Sequence, residues 1–152
     1  MDPLKLKEKI FQKCLEYVDN RIKNARIAMN AAQDSANQES KSSAGDKYET
    51  GRAMAQIERD NNARLLDESN KLKQILDQIK IKESHINTSL GSLIFTNKGK
   101  FFLAISLGKV MVENEEFWVL STSAPLGQLM INKKKGESFL FNKTEYKIME
   151  VY

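Results

Sequence analysis

The segment Lys41-Ser42-Ser43-Ala44-Gly45 is a short run of turn and capping residues between two long segments with a helical pattern. On its N-terminal side, apolar residues recur every three or four positions, at Phe11, Leu15, Val18, Ile22, Ala25, Met29, Ala32 and Ala36. This 3.5-residue repeat is typical of a helix that packs along a narrow seam. Because Pro3 suits a first helical turn and no glycine occurs before Gly45, we expect one helix from Asp2 to about Ser40.

A second helical pattern follows, from about Asp46 to Lys80. The apolar residues on or beside its stripe are Met54, Ile57, Leu65, Leu72, Ile75, Leu76 and Ile79. Two helices of matched length joined by a short loop predict an antiparallel hairpin, a coiled coil over residues 1–82 with its tip at about 40–46. A parallel homodimeric coiled coil that continues through the loop is disfavoured by Gly45 and Gly51.

The pattern changes after a polar connector at residues 83–90. Short β-branched and aromatic runs predict strands at 93–96, 101–106, 110–112, 116–120, 139–141 and 146–151, with turns at 97–99, 113–115 and 142–144. A short helix is predicted over 123–131, with Ser123 as its N-cap and Pro125 in its first turn. The sequence therefore predicts an α+β protein, in which a small antiparallel β domain with one short helix occupies residues 91–152.

Composition excludes several classes of protein. Charge is nearly balanced, with 24 basic and 20 acidic residues, which argues against direct binding of nucleic acid. Cys14 is the single cysteine, so no intramolecular disulfide forms, and no apolar run approaches the length of a membrane span. The single histidine, His85, excludes a histidine-based metal site or catalytic triad. We expect a cytoplasmic protein with no membrane partner.

The β domain carries three short motifs beyond its strand pattern. Gly91-Ser92-Leu93 opens the sheet, the run Leu120-Ser121-Thr122-Ser123-Ala124-Pro125-Leu126-Gly127-Gln128-Leu129 spans the short helix, and Lys135-Gly136-Glu137 follows it. With the hairpin before them, these motifs resemble the bacterial Gre transcript-cleavage factors, the GreA/GreB family. The resemblance implies an FKBP-like fold for residues 91–152 and RNA polymerase as partner. It also implies that this domain docks at the rim of the polymerase secondary channel, with Ser123, Pro125, Leu126 and Gly127 as docking residues.

The same resemblance assigns the chemistry to the hairpin tip. In the Gre family the hairpin enters the channel and presents acidic residues to the catalytic Mg²⁺, which promotes cleavage of backtracked RNA. The family motif Gly-Asp-x-x-Glu-Asn-x-x-Tyr is matched by Gly45-Asp46-Lys47-Tyr48-Glu49, with Thr50 in place of the asparagine. Asp46 and Glu49 are therefore the candidate catalytic residues and Mg²⁺ ligands, and Asp34 and Glu39 are the runners-up. The chain would be an accessory factor rather than an enzyme, with no cofactor of its own, and would meet nascent RNA only inside the polymerase.

Two alternatives for the tip stay open. In a second register, with Tyr48 aligned to the family tyrosine, Lys41 and Ala44 occupy the acidic positions. Ser43-x-x-Asp46 is also close to a capping box, so the acids could simply start the second helix. The corresponding functional alternatives are a regulator that occupies the channel without stimulating cleavage, and a non-catalytic coiled-coil interaction module.

Overall fold

The structure, a computed structural model, describes the backbone of residues 1–40 and 45–152 and the side chains outside residues 39–48. It confirms the predicted α+β class. The elements are α1 (Pro3–Ser40), α2 (Gly45–Asp77), β1 (Leu93–Thr96), β2 (Gly99–Ala104), β3 (Gly108–Val112), β4 (Glu115–Ser121), α3 (Pro125–Met130), β5 (Ser138–Phe141) and β6 (Thr144–Val151). No helix in the described residues is long and apolar enough to cross a lipid bilayer.

The chain divides into two compact units. One unit contains residues 16–74, which are the greater part of α1 and α2. The other contains residues 1–15 and 75–152, so it joins the ends of both helices to the connector and the sheet. Most of the predicted tip, at residues 41–44, lies outside the described residues.

Within residues 16–74 the two helices run antiparallel. Lys73 Nζ lies 2.8 Å from an Asp19 carboxylate oxygen, and farther along the hairpin Ser35 borders the same groove as Gly51 and Ala55. The α1 side of the seam agrees with the prediction, because Val18, Ala25, Ala32 and Ala36 are all buried.

The predicted stripe of α2 is wrong at three positions. Met54, Ile57 and Leu65 are 66%, 61% and 42% exposed. The seam is occupied instead by small side chains, with Ala55 and Ser69 buried. Since the facing α1 residues are mostly alanines, the helices approach closely and small residues fit where larger ones do not. Ser69 Oγ donates to the Leu65 carbonyl oxygen at 2.7 Å, which satisfies the hydroxyl inside the seam.

The sheet has six strands in the order β3-β4-β2-β1-β6-β5. Its strands pair antiparallel except for β2 and β4, which are parallel. The predicted turns at Glu113-Asn114 and Asn142-Lys143 are confirmed, and all four residues have positive φ. Two residues with positive φ define a type I′ turn, whose twist matches that of the strands it joins.

One core cluster of the sheet domain joins Met130 of α3 to the sheet. Its fully packed members are Ile94, Phe101, Leu103, Met130, Phe139 and Ile148. Helix α3 begins at Pro125, which confirms the proline in its first turn, but its N-cap is Ala124. The prediction of Ser123 as the cap is therefore wrong. Ser123 precedes the cap by one residue, and its hydroxyl hydrogen-bonds with Ser121 Oγ at 2.8 Å.

Candidate functional site

The structure places the four candidate tip acids on the two helices. Asp34 is exposed on α1, and Glu49 is exposed in the early turns of α2. Glu39 and Asp46 lie within the same helices, but their side chains lie outside the described residues. Positions 46 and 49 are three residues apart in one helix, so they share a face of α2. The alternative register, with Lys41 and Ala44 in the acidic positions, falls on residues that the structure does not describe.

Carboxylates of this kind can contribute oxygen ligands to a metal ion. Among the side chains that the structure describes, no group of three or more His, Cys, Asp or Glu residues could hold a metal ion. Mg²⁺ takes about six oxygen ligands but commonly only one or two protein carboxylates from any one source. Asp46 and Glu49 would together supply two such carboxylates.

The hairpin also carries exposed apolar surface that the sequence pattern did not predict. A groove of about 490 Å³ is bordered by Ser35, Gly51, Met54 and Ile57. A second groove of about 310 Å³ lies beside Ala28 and Leu65. Small residues in the seam leave these grooves open. The signal in the sequence was the replacement of bulky residues by alanine at the seam positions Ala25, Ala32 and Ala36.

The predicted docking residues divide into two exposed and two packed positions. Ser123 and Pro125 are exposed, whereas Leu126 packs against the core and Gly127 is buried. A Cβ atom at Gly127 would lie 2.1 Å from the Ser121 carbonyl oxygen. Gly127 is therefore required for the packing of α3.

A buried lysine is the most unusual polar group of the described chain. Lys7 is fully buried, and its Nζ donates to the main-chain oxygens of Glu83 at 2.7 Å and Tyr152 at 3.2 Å. Burial lowers the pKa of Lys7 to about 8, although the Glu83 carboxylate partly opposes the shift. The sequence did not reveal it, because a lysine on a polar helix end normally faces solvent.

His85 lies near this lysine in the connector. Its Nδ1 hydrogen-bonds with Ser92 Oγ at 2.6 Å. Burial lowers the pKa of His85 below its ordinary value, and the positive charge of Lys7 lowers it further. Cys14 is fully buried, and burial raises the pKa of its thiol to about 12. Lys7 and His85 thus link the connector to the sheet domain through main-chain and hydroxyl partners.

Comparison with family models, with curated proteins and with solved structures found no match. The Gre resemblance therefore rests on the order of elements and on the motifs quoted above.

Proposed function

We propose that this chain is a bacterial transcription elongation factor of Gre type that binds RNA polymerase in the cytoplasm. The observation that carries the proposal is the architecture. Helices of 38 and 33 residues form a hairpin, and a six-stranded sheet with one short helix follows them. The resembling segments at 120–129 and 135–137 span α3 and the loop before β5. An FKBP-like relationship and docking of residues 91–152 on the polymerase belong to the same proposal.

In this proposal the hairpin enters the secondary channel and brings Asp46 and Glu49 to the Mg²⁺ of the polymerase active site. A catalytic Mg²⁺ supplies an activated water and stabilises the displaced phosphate oxygen in phosphodiester cleavage. The chain's own contribution is two carboxylates on one face of α2, which add oxygen ligands. Because the hairpin needs no nucleophile or substrate pocket, the protein is an accessory factor that promotes cleavage of backtracked RNA by the polymerase.

The test is a cleavage assay on stalled elongation complexes assembled from purified bacterial polymerase. The wild-type chain is expected to release short 3′ RNA fragments. The double variant Asp46→Asn, Glu49→Gln removes both charges with nearly the same side-chain shape, so it should abolish release while still competing with the wild-type chain for the polymerase.

The matched control is Asp34→Asn, Glu39→Gln, which makes the same chemical change at the runner-up positions. We expect it to keep cleavage close to the wild-type rate. Loss of cleavage in the control, with cleavage intact in the first variant, would transfer the assignment to Asp34 and Glu39. Binding without any cleavage by the wild-type chain would leave only a regulator that occupies the channel.

The exposed side chains of the hairpin favour one second candidate, a non-catalytic coiled-coil interaction module. Met54 and Ile57 are the largest apolar groups on the groove near the tip, and they face solvent. Met54→Ser with Ile57→Ser should abolish capture of such a partner with little effect on folding, because neither side chain is in the seam. If this variant still binds RNA polymerase normally and still stimulates cleavage, that result would argue against this second function.

A further inference from the structure

A cavity of about 590 Å³ lies on the sheet domain where β1 pairs with β6. Its lining includes Phe95, Lys100, Lys135, Lys147, Met149 and Glu150. The volume falls within the range of roughly 300–1,000 Å³ that is typical of ligand pockets. None of these residues belongs to the hairpin tip or to the docking residues predicted at 123–127, while Lys135 belongs to the motif at 135–137; all lie in the compact unit that contains the sheet.

The cavity lies beside an irregularity in the strand pairing. Phe95 pairs with Glu150 and Thr96 pairs with Ile148, so Met149 is an extra residue on β6. Such a β-bulge redirects neighbouring side chains and is common beside binding sites. Met149 is 51% exposed, which is high for an apolar residue of a paired strand.

The loop before β5 completes the rim. Gly136 has a φ of +92°, which favours glycine, and its N–H donates to the Ile148 carbonyl oxygen at 2.7 Å. This bond holds Lys135 next to β6, where its Nζ lies 2.5 Å from a Glu150 carboxylate oxygen. The cavity thus has one wall from the loop and its floor from the sheet.

Charge around the cavity is positive, because its lining contains three lysines and one glutamate. Lys135 is paired with Glu150, and Lys100 is paired with Glu115. Lys147 is exposed and has no ion-pair partner among the described residues. An occupant would therefore find an apolar floor beside an unpaired ammonium group.

We propose that this cavity binds an acidic peptide segment of a partner protein. An apolar side chain of the segment lies against Phe95 and Met149, and a neighbouring Asp or Glu pairs with Lys147. Charge complementarity selects an acidic partner, and the apolar floor selects one with a hydrophobic anchor. The proposal does not depend on the Gre-type function, since any acidic partner with a hydrophobic anchor would bind.

Stacking of a nucleic-acid base is disfavoured by the surroundings of Phe95. Its ring packs edge-on against Tyr152, with 5.4 Å between ring centroids, and Lys100 Nζ lies 5.1 Å from its centre. A base needs a free aromatic face, and arginine usually accompanies such platforms. Residues 91–152 contain no arginine.

The test is a titration of the ¹⁵N-labelled full chain with a blocked peptide, Gly-Asp-Glu-Leu-Phe-Asp-Glu-Gly, followed by amide chemical shifts. Binding is expected in the range of about 0.1–1 mM, with the largest shifts at Thr96, Gly136 and Met149. Peptides with Asn and Gln in place of the acids, or with Ser in place of Leu and Phe, should bind at least about fivefold more weakly. No shifts at about 2 mM peptide, or equal shifts with the neutral peptide or with single-stranded RNA, would overturn the proposal.

Two variants locate the site. Lys147→Glu should weaken binding of the acidic peptide at least about fivefold, because it reverses the one unpaired charge on the rim. Lys143→Glu is the matched control, since Lys143 is an exposed lysine in the turn before β6 and lies outside the cavity. It changes the net charge equally and should leave the affinity within about twofold. If both variants weaken binding of the acidic peptide equally, the peptide is attracted by the overall charge of the protein alone, and the proposed site would be overturned.

Discussion

Replacing Lys7 by methionine should change how the stability of the sheet-containing unit depends on pH. The folded-state pKa of Lys7 is lowered from 10.5 to about 8 because its ammonium group is buried. Below pH 8 the amine is protonated in both the folded and the unfolded chain. Between pH 8 and 10.5 the unfolded chain binds more protons, so the free energy of unfolding rises with pH in the wild-type chain.

The size of this effect follows from the shift. A change from 10.5 to about 8 corresponds to about 3 kcal/mol, at about 1.4 kcal/mol per pH unit. Methionine has a similar length and no titratable group, so Lys7→Met should lose this rise. The other lysines titrate in both proteins and cancel in the difference between them.

The assay is urea denaturation at several pH values from 7 to 10.5, followed by the fluorescence of Trp118, which lies in the same unit as Lys7. The free energy of unfolding of the wild type minus that of Lys7→Met should increase by about 3 kcal/mol between pH 7 and pH 10.5. Lys5→Met is the control, because Lys5 is exposed on the same helix. The difference in unfolding free energy between this variant and the wild type should not change with pH. Parallel pH curves for the wild type and Lys7→Met would refute the reasoning.

Two further predictions concern packing. Gly127→Ala should lower the free energy of unfolding by about 1–3 kcal/mol in thermal or urea denaturation, because its Cβ would lie 2.1 Å from the Ser121 carbonyl oxygen; unchanged stability would contradict the packing of α3 described above. The Cys14 thiol, with its pKa raised to about 12 by burial, should resist a thiol reagent at pH 8 in the native chain and react at once in urea. Fast reaction of the folded chain would show that this end of α1 is open.

Local sequence patterns were sufficient to predict the helices and most strands. A 3.5-residue apolar repeat without glycine strongly favours a long helix. Runs of β-branched residues between turn residues favour strands joined as hairpins. The two type I′ turns followed from Glu113-Asn114 and Asn142-Lys143 at the right spacing. The parallel pairing of β2 with β4 was not predicted, because it joins segments that are not neighbours in the sequence.

The α2 seam shows why hydrophobicity alone misleads. Met54 and Leu65 lie at positions that fit a helical apolar stripe, yet their side chains are exposed. The buried seam positions are occupied by Ala55 and Ser69. Where two helices pack closely, only small side chains fit between them, and a pattern of hydrophobic residues contains no information on side-chain size.

The polar features of the candidate sites were equally hidden. The ammonium group of buried Lys7 donates hydrogen bonds to main-chain oxygens of Glu83 and Tyr152, which lie far along the sequence. The cavity beside Lys147 lies next to a bulge at Met149 that no local motif marks. Asp46 and Glu49, in contrast, were candidates through the family motif, and Glu49 is exposed on α2.

The central claim is that the chain binds RNA polymerase, and size-exclusion chromatography with purified bacterial core polymerase tests it most directly. At about 10 μM of each component, the account predicts that the 17.4 kDa chain co-elutes with the polymerase. Elution of the whole chain at its own volume, with none in the polymerase fractions, would contradict the account.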